Sequence, residues 1–217
     1  MAKPIIPVPT LILASRSVRR AQLLRDRGYV FEQLDPPFAD PPQPSEALPA
    51  DAVAVAVDLA TKKALSSLKL KDLQTRDGIV VVGADTICVG QDGRLLGQPA
   101  DREQARQMIL GFVNRSHQVI SAAAVAGTER PEPQTLADTA TVHIGPLDEG
   151  QLETYLDGGQ WRGKAGGYNL FDRLAEGWPI TVSGDPATVV GLPMQLLEPV
   201  LALWSVRPEA AQEPDGL

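Results

Sequence analysis

The 217-residue chain contains one cysteine, Cys88, which excludes an internal disulfide framework and any multi-cysteine metal site and makes a reducing cytoplasm the expected location. Within its strand-like apolar run, Cys88 reads as a small core residue. Histidine is almost as scarce. His117 and His143 are the only two, too few for a histidine-rich metal site, and both read as structural strand residues. No apolar run approaches the roughly 18 residues of a membrane-spanning helix, and Leu11-Ile12-Leu13-Ala14 is too short for a signal-peptide core. The triplet Asn114-Arg115-Ser116 matches a glycosylation acceptor, which has no meaning without export. Basic residues are in the minority, 20 Lys and Arg against 27 Asp and Glu for a formal charge of −7. A nucleic-acid polymer is therefore repelled on average, and an anionic ligand must be small and held by a local basic cluster. No aromatic cluster lies on a basic face. A Walker-type loop, a nucleophile elbow and a dinucleotide fingerprint are all missing.

What is present suits a packed globular body. Hydrophobic residues make up 43% and charged residues 22%, and the length allows one large domain or two lobes sharing a core. Leu11-Ile12-Leu13-Ala14 reads as a short buried strand that runs into a helix capped by Ser17. Six prolines between residues 35 and 50 force an extended loop. A helix from Asp51 puts Ala52, Val55, Ala56, Leu59, Ala60, Lys63 and Ala64 on one face. Ile79-Val80-Val81-Val82 reads as a fully buried strand ending at Gly83-Ala84-Asp85-Thr86, and Asp92-Gly93 marks a hairpin turn. Asp101 and Gln104 resemble a capping box for a helix with Ala105, Met108, Ile109 and Phe112 inside. Strands at 119–126 and 139–144 precede a short helix at 151–156, stopped by Gly158 and Gly159. Strands at 179–182 and near Val189 lead to a last helix opened by Pro193. This order predicts an α/β fold with some antiparallel pairing. Residues 1–10 form an N-terminal extension, 11–204 one domain and 205–217 a flexible tail.

Four segments place charge or glycine where chemistry can use it. After the first strand, a serine-rich turn opens a helix bearing Arg19 and Arg20. Free backbone N–H groups and the positive helix end attract phosphate there, and guanidinium forks match its oxygens; the same arginines are equally compatible with a solvated surface. Asp85, where a buried strand meets a loop, borders the ligand crevice of open α/β sheets. It can hold a divalent cation and orient or deprotonate water, or simply cap a turn. Lys63 stands mid-stripe on an apolar helix face, either to meet a polyphosphate or to snorkel to solvent. In Arg162-Gly163-Lys164-Ala165-Gly166-Gly167-Tyr168, glycines permit close backbone approach to a ligand and Lys164 supplies charge; glycine-rich turns are also common without a ligand.

Taken together and in order, these segments resemble the Maf family of nucleotide pyrophosphatases across residues 11–203. Leu13-Ala14-Ser15-Arg16-Ser17-Val18-Arg19-Arg20 is similar to the family's Leu-Ala-Ser-x-Ser-Pro-Arg-Arg, with Val18 for proline. Leu59-Ala60-Thr61-Lys62-Lys63-Ala64 resembles Leu-Ala-x-x-Lys-Ala, which selects Lys63 over Lys62. Gly83-Ala84-Asp85-Thr86, Asn114-Arg115-Ser116-His117, Lys164-Ala165-Gly166-Gly167-Tyr168 and Val189-Val190-Gly191-Leu192-Pro193 complete the series. The resemblance implies a mixed twisted sheet flanked by helices, two lobes with a central cleft as in inosine triphosphate pyrophosphatases, and often a homodimer. It implies the reaction of a nucleoside triphosphate with water to give the monophosphate and diphosphate. By position, Asp85 becomes the general base and a ligand of Mg²⁺ or Mn²⁺, and Ser15, Arg19, Arg20, Lys63 and Lys164 hold the triphosphate, with Thr86 and Gln98 as further substrate contacts.

Three departures stand out. Leu96-Gly97-Gln98-Pro99 replaces the family's Leu-Gly-Lys-Pro, which implies weaker triphosphate affinity or altered metal use. Tyr168-Asn169-Leu170-Phe171-Asp172 replaces Tyr-Gly-Ile-Gln-Gly, removing the glutamine linked to pyrimidine choice and leaving base preference open among dTTP- or UTP-like and modified nucleotides. Leu34-Asp35-Pro36-Pro37 replaces Asp-x-Asp-Glu, so an accessory acidic metal ligand is missing or supplied by Asp35 or Asp40. These changes give a second reading, a nucleotide-binding regulatory protein of the same fold with weakened catalysis. Neither a nucleic-acid polymer nor a membrane is an expected partner.

Overall fold

The computed structural model describes residues 9–40 and 52–209. Strands β1 (Thr10–Ala14), β2 (Glu32–Leu34), β3 (Ile79–Val89), β4 (Leu95–Leu96), β5 (Arg115–Gly127), β6 (Gln134–Ile144) and β7 (Ile180–Ser183) form one mixed sheet. Their spatial order is β2-β1-β3-β5-β6-β7, with β4 also beside β3. β1 runs parallel to β2 and β3, and the remaining pairs are antiparallel.

Alternation along β3 sorts the two faces of the sheet. Val80, Val82 and Ala84 pack with α1 (Val18–Asp26) and α8 (Met194–Leu203). Ile79, Val81 and Ile87 face Ala56, Ala60 and Ala64 of α2 (Ala52–Leu68). Gly83 marks the closest approach of α2: a Cβ there would fall on the Ala60 carbonyl and lie 2.5 Å from the Ala64 amide nitrogen. Without a side chain, the helix backbone rests on the strand. Toward the far end of the long strands, Cys88 packs with Ile109 and Phe112 of α4 (Arg102–Phe112), Tyr155 of α5 (Glu149–Asp157) and Leu170 of α6 (Leu170–Ala175).

Several expectations change. β3 does not end at Gly83-Ala84-Asp85-Thr86 but continues to Val89, because β5 pairs with it from Val80 to Val89. What ends is its other neighbour. β1 pairs with β3 only as far as Ala14 and Gly83, and β4 starts at Cys88; among the described residues, 84–87 have no strand on that edge. The segment near Val189 is a helix, α7 (Pro186–Val190), capped by Asp185 with Pro186 in its first turn. Pro193 takes the cap position of α8 rather than its first turn. Val206 is buried, and the Glu209 amide donates to the Gly28 carbonyl, so the packed body passes residue 204. The rest of the expected extension, proline-rich loop and tail, residues 1–8, 41–51 and 210–217, lie outside the described residues. No helix among those described is long and apolar enough to cross a membrane.

Candidate active site

The unpaired edge of β3 opens into a cleft of about 1000 Å³. Its walls include every residue singled out from the sequence: Ser15, Arg19, Arg20, Lys63, Asp85, Thr86, Gln98 and Lys164. They meet because β1 stops short. The turn after it, the loop after β2, the unpaired stretch of β3 and the glycine turn before α6 all border the gap.

Asp85 points toward α2 and is 7% exposed. One carboxylate oxygen lies 2.6 Å from Lys63 Nζ, and Asp40 reaches the same ammonium at 2.8 Å. Lys63 is therefore neither snorkelling nor unengaged; it is a buried cation between two carboxylates. Burial pushes the Asp85 pKa up, the charges of Lys63 and Arg20 pull it down, and Asp40 adds to the upward push. A carboxylate raised by burial accepts a proton more readily than an exposed one. Of the two acids considered for the accessory position, both line the cleft, but Asp40 is the one that reaches Lys63 beside Asp85; Asp35 pairs with Arg16 at 3.3 Å where both side chains are exposed. Nothing in the sequence pattern separated the two, because a proline-rich extended loop carries no periodicity.

On the other face of β3, Arg20 is held by the protein itself. Its Nε donates to the Gly191 carbonyl at 2.9 Å, Nη1 to Ser15 Oγ at 3.1 Å and to the Ala84 carbonyl at 2.9 Å, and Nη2 to Thr86 Oγ1 at 3.0 Å. Thr86 Oγ1 also shares a hydrogen bond with Ser121 Oγ at 2.9 Å. Thr86 is thus part of the support beneath the cleft. Ser15 Oγ accepts from the Ser17 amide at 3.2 Å as well as from Arg20, which leaves its hydroxyl proton free to donate.

Arg19 differs from its neighbour. Among the described residues no hydrogen bond or ion pair holds its guanidinium, and burial lowers its pKa. Lys164 donates to the Gln160 carbonyl, and its pKa is lowered first by burial and then by the nearby charge of Arg19. The two are partly buried cations that repel one another, while the charge of Asp172 acts on both in the opposite direction; a local excess of positive charge attracts an anion. The turn that carries Lys164 is fixed from behind. Gly166 has φ +72° and would place a Cβ 2.9 Å from Cys88 Sγ, and the Tyr168 hydroxyl bonds His117 Nε2 at 2.7 Å. His117 stacks on Phe112 with centroids 3.8 Å apart, and burial lowers its pKa to about 4.

The family model for Maf-like proteins matches residues 10–203. The chain belongs to the Maf family. A protein named dTTP/UTP pyrophosphatase from Symbiobacterium thermophilum is 38% identical over 187 residues, covering 85% of this chain and 88% of the relative. Proteins of the same name from Novosphingobium aromaticivorans and Salinibacter ruber are 34% and 32% identical, covering 89% and 86% of this chain and 90% and 87% of their own. A solved nucleoside-triphosphatase, or dITP/XTP pyrophosphatase, from Mycobacterium abscessus has a TM-score of 0.37 at 17% identity, over 64% of this chain and 75% of its own; that likeness is too slight to bear on the site.

The departures from the Maf pattern now have places. Gln98 stands exposed at the rim, with no hydrogen-bond partner among the described residues. Phe171, at the position of the Maf glutamine, is 48% exposed and is not part of the cleft wall, whereas Asn169 is. Val18, in place of the Maf proline, begins α1 with its side chain exposed and leaves the Ser17 cap intact.

Proposed function

We propose that this protein hydrolyses nucleoside triphosphates between the α- and β-phosphates, giving the nucleoside monophosphate and pyrophosphate. The observation that carries this reading is Asp85 on the open edge of β3, sharing one cleft with the cations Arg19 and Lys164. Asp85 takes a proton from water as the water oxygen bonds to the α-phosphorus, and the bond from that phosphorus to the bridging oxygen breaks. Lys63, 2.6 Å away, favours the ionised form of Asp85 against the upward push of burial. Arg19 and Lys164 receive the charge that gathers on the departing pyrophosphate, with the Ser15 hydroxyl as a further donor.

Asp85 and Asp40 would be the residues to hold a divalent cation. Two carboxylates from separate segments converge there on one positive charge, the Lys63 ammonium, and an oxygen-only pair would suit Mg²⁺ or Mn²⁺. When bound there, the ion would supply Lewis acidity at the phosphate. Charge supports the same composition. Arg16, Arg19, Arg20, Lys63 and Lys164 outnumber Asp35, Asp40 and Asp85 in the walls by two. A triphosphate of roughly four negative charges is balanced by that excess plus one divalent ion.

The names of the relatives put dTTP and UTP first among substrates, and a cytoplasmic homodimer completes the reading. The alternative of a catalytically weakened nucleotide binder is not favoured, because Gln98 lies at the exposed rim and Phe171 outside the walls, and neither is bonded to Asp85. The test is a nucleotide panel with Mg²⁺ or Mn²⁺, read as phosphate after coupling to inorganic pyrophosphatase. Release from at least one triphosphate is expected. No product from any nucleotide removes the hydrolase reading, and calorimetric binding without product would put the regulatory one in its place.

A further inference from the structure

Arg19 and Arg20 are adjacent and chemically identical, yet they stand in different surroundings. Where β1 has ended, the Ala84 carbonyl on the open edge of β3 needs a donor that a neighbouring strand would otherwise supply. Arg20 Nη1 supplies it at 2.9 Å, and Nη2 holds Thr86 Oγ1 at 3.0 Å. The guanidinium therefore grips β3 on both sides of Asp85. Its Nε is anchored on the Gly191 carbonyl at 2.9 Å, where φ is +127° and a Cβ would come within 3.1 Å of that nitrogen. From Thr86 the bonds continue through Ser121 Oγ to the Thr188 carbonyl at 2.7 Å, and from Thr188 Oγ1 to Asp138 at 2.6 Å. Ser121 and Thr188 are fully buried, so β3, β5, β6 and α7 are joined under the cleft floor. Among the described residues, only one N–H of Arg20, on Nη2, is left without a protein acceptor.

We propose that Arg20 is a positioning residue whose guanidinium replaces the missing strand neighbour of β3 and fixes the direction of Asp85, while Arg19 meets the triphosphate. This rests on the hydrolase reading above. A fork is required for the task, since one ammonium cannot span the Ala84 carbonyl, Thr86, Ser15 and Gly191 together.

The experiment compares Arg20→Lys, Arg20→Gln and Arg19→Ala in the full chain with Mg²⁺. It combines steady-state kinetics, kcat–pH profiles and calorimetry with a non-hydrolysable α,β-methylene triphosphate. Arg20→Lys should lower kcat by about 100-fold through misplacement of Asp85, while analogue affinity changes by less than about threefold. Arg19→Ala should instead weaken analogue binding by about 10- to 100-fold through loss of a charged hydrogen bond. Asp85 is faced by Lys63, Asp40 and Arg20. Removing the Arg20 charge in Arg20→Gln should move the acid limb of kcat to higher pH. Analogue affinity that falls in Arg20→Lys as far as in Arg19→Ala, with kcat spared, overturns the proposal. Should the wild-type protein turn over no nucleotide, the hydrolase reading fails on its own. Amide hydrogen exchange at residues 84–87 then decides the Arg20 role: faster exchange in Arg20→Lys supports it, and unchanged exchange overturns it.

Discussion

Asp85 is subject to opposing influences of burial and of Lys63, and the balance has a measurable sign. The group must be ionised to take a proton, so kcat falls as pH drops through its pKa. Burial raises that pKa, which centres the fall above the value near ~3.9 of an exposed aspartate. Lys63→Met removes the charge that holds it down and leaves Asp40 beside it; the acid limb should then move to still higher pH, and a limb that stays put would show that Lys63 does not act on Asp85. Cys88 is a second single-residue case. Buried at 1% exposure, its thiol is pushed up to about 12, so the reactive thiolate is scarce. Iodoacetamide at pH 8 should leave the native protein unmodified and label it only in denaturant, as mass spectrometry would record; rapid native labelling would contradict the packing around it. Of the residues that the structure places in the cleft, Asp85 and Lys63 were legible because a charge stands out against an apolar strand or helix face, and Arg19 because it follows a serine-rich turn at a helix start. Asp40 did not stand out from Asp35, and nothing in the pair Arg19-Arg20 tells the guanidinium that the protein ties from the one that it does not, since that difference lies in carbonyls brought near by the fold.

Among the elements, the contact of α2 with β3 does most to build the site. The backbone of α2 can lie against the strand only because residue 83 is glycine, and that distance is what sets Lys63 Nζ 2.6 Å from Asp85. Gly83→Ala must push the helix away. A loss of about 1–3 kcal/mol in urea unfolding is expected from overpacking, together with reduced turnover as Lys63 withdraws; unchanged stability and activity would contradict the packing. Most elements could be read from periodicity and caps, including Ser17 at the start of α1 and Asp101 at the start of α4. Two of the differences have separate causes. Thr188-Val189-Val190 is β-branched and reads as strand, but the Asp185 cap and Pro186 make it helical. Gly83-Ala84-Asp85-Thr86 reads as a strand end, but β5 carries β3 onward by pairing that no local pattern reveals.

At the scale of the whole molecule, the α/β class was legible from the order of apolar segments, while the path of the sheet was not. That β1 and β4 share one edge of β3 and leave 84–87 between them is a long-range fact, and it is what turns a strand residue into a cleft residue. The same cleft has too little positive charge to balance a triphosphate alone. EDTA should therefore suppress hydrolysis and added Mg²⁺ or Mn²⁺ restore it; activity unaffected by chelation would contradict the proposed cation. The most direct test of water attack at the α-phosphorus is hydrolysis of dTTP or UTP in H₂¹⁸O, with mass spectrometry of both products for the wild type and Asp85→Asn. The wild type should place ¹⁸O in the monophosphate and none in the pyrophosphate, and Asp85→Asn should bind nucleotide without turnover. Label in pyrophosphate or inorganic phosphate, or undiminished turnover by Asp85→Asn, would contradict it.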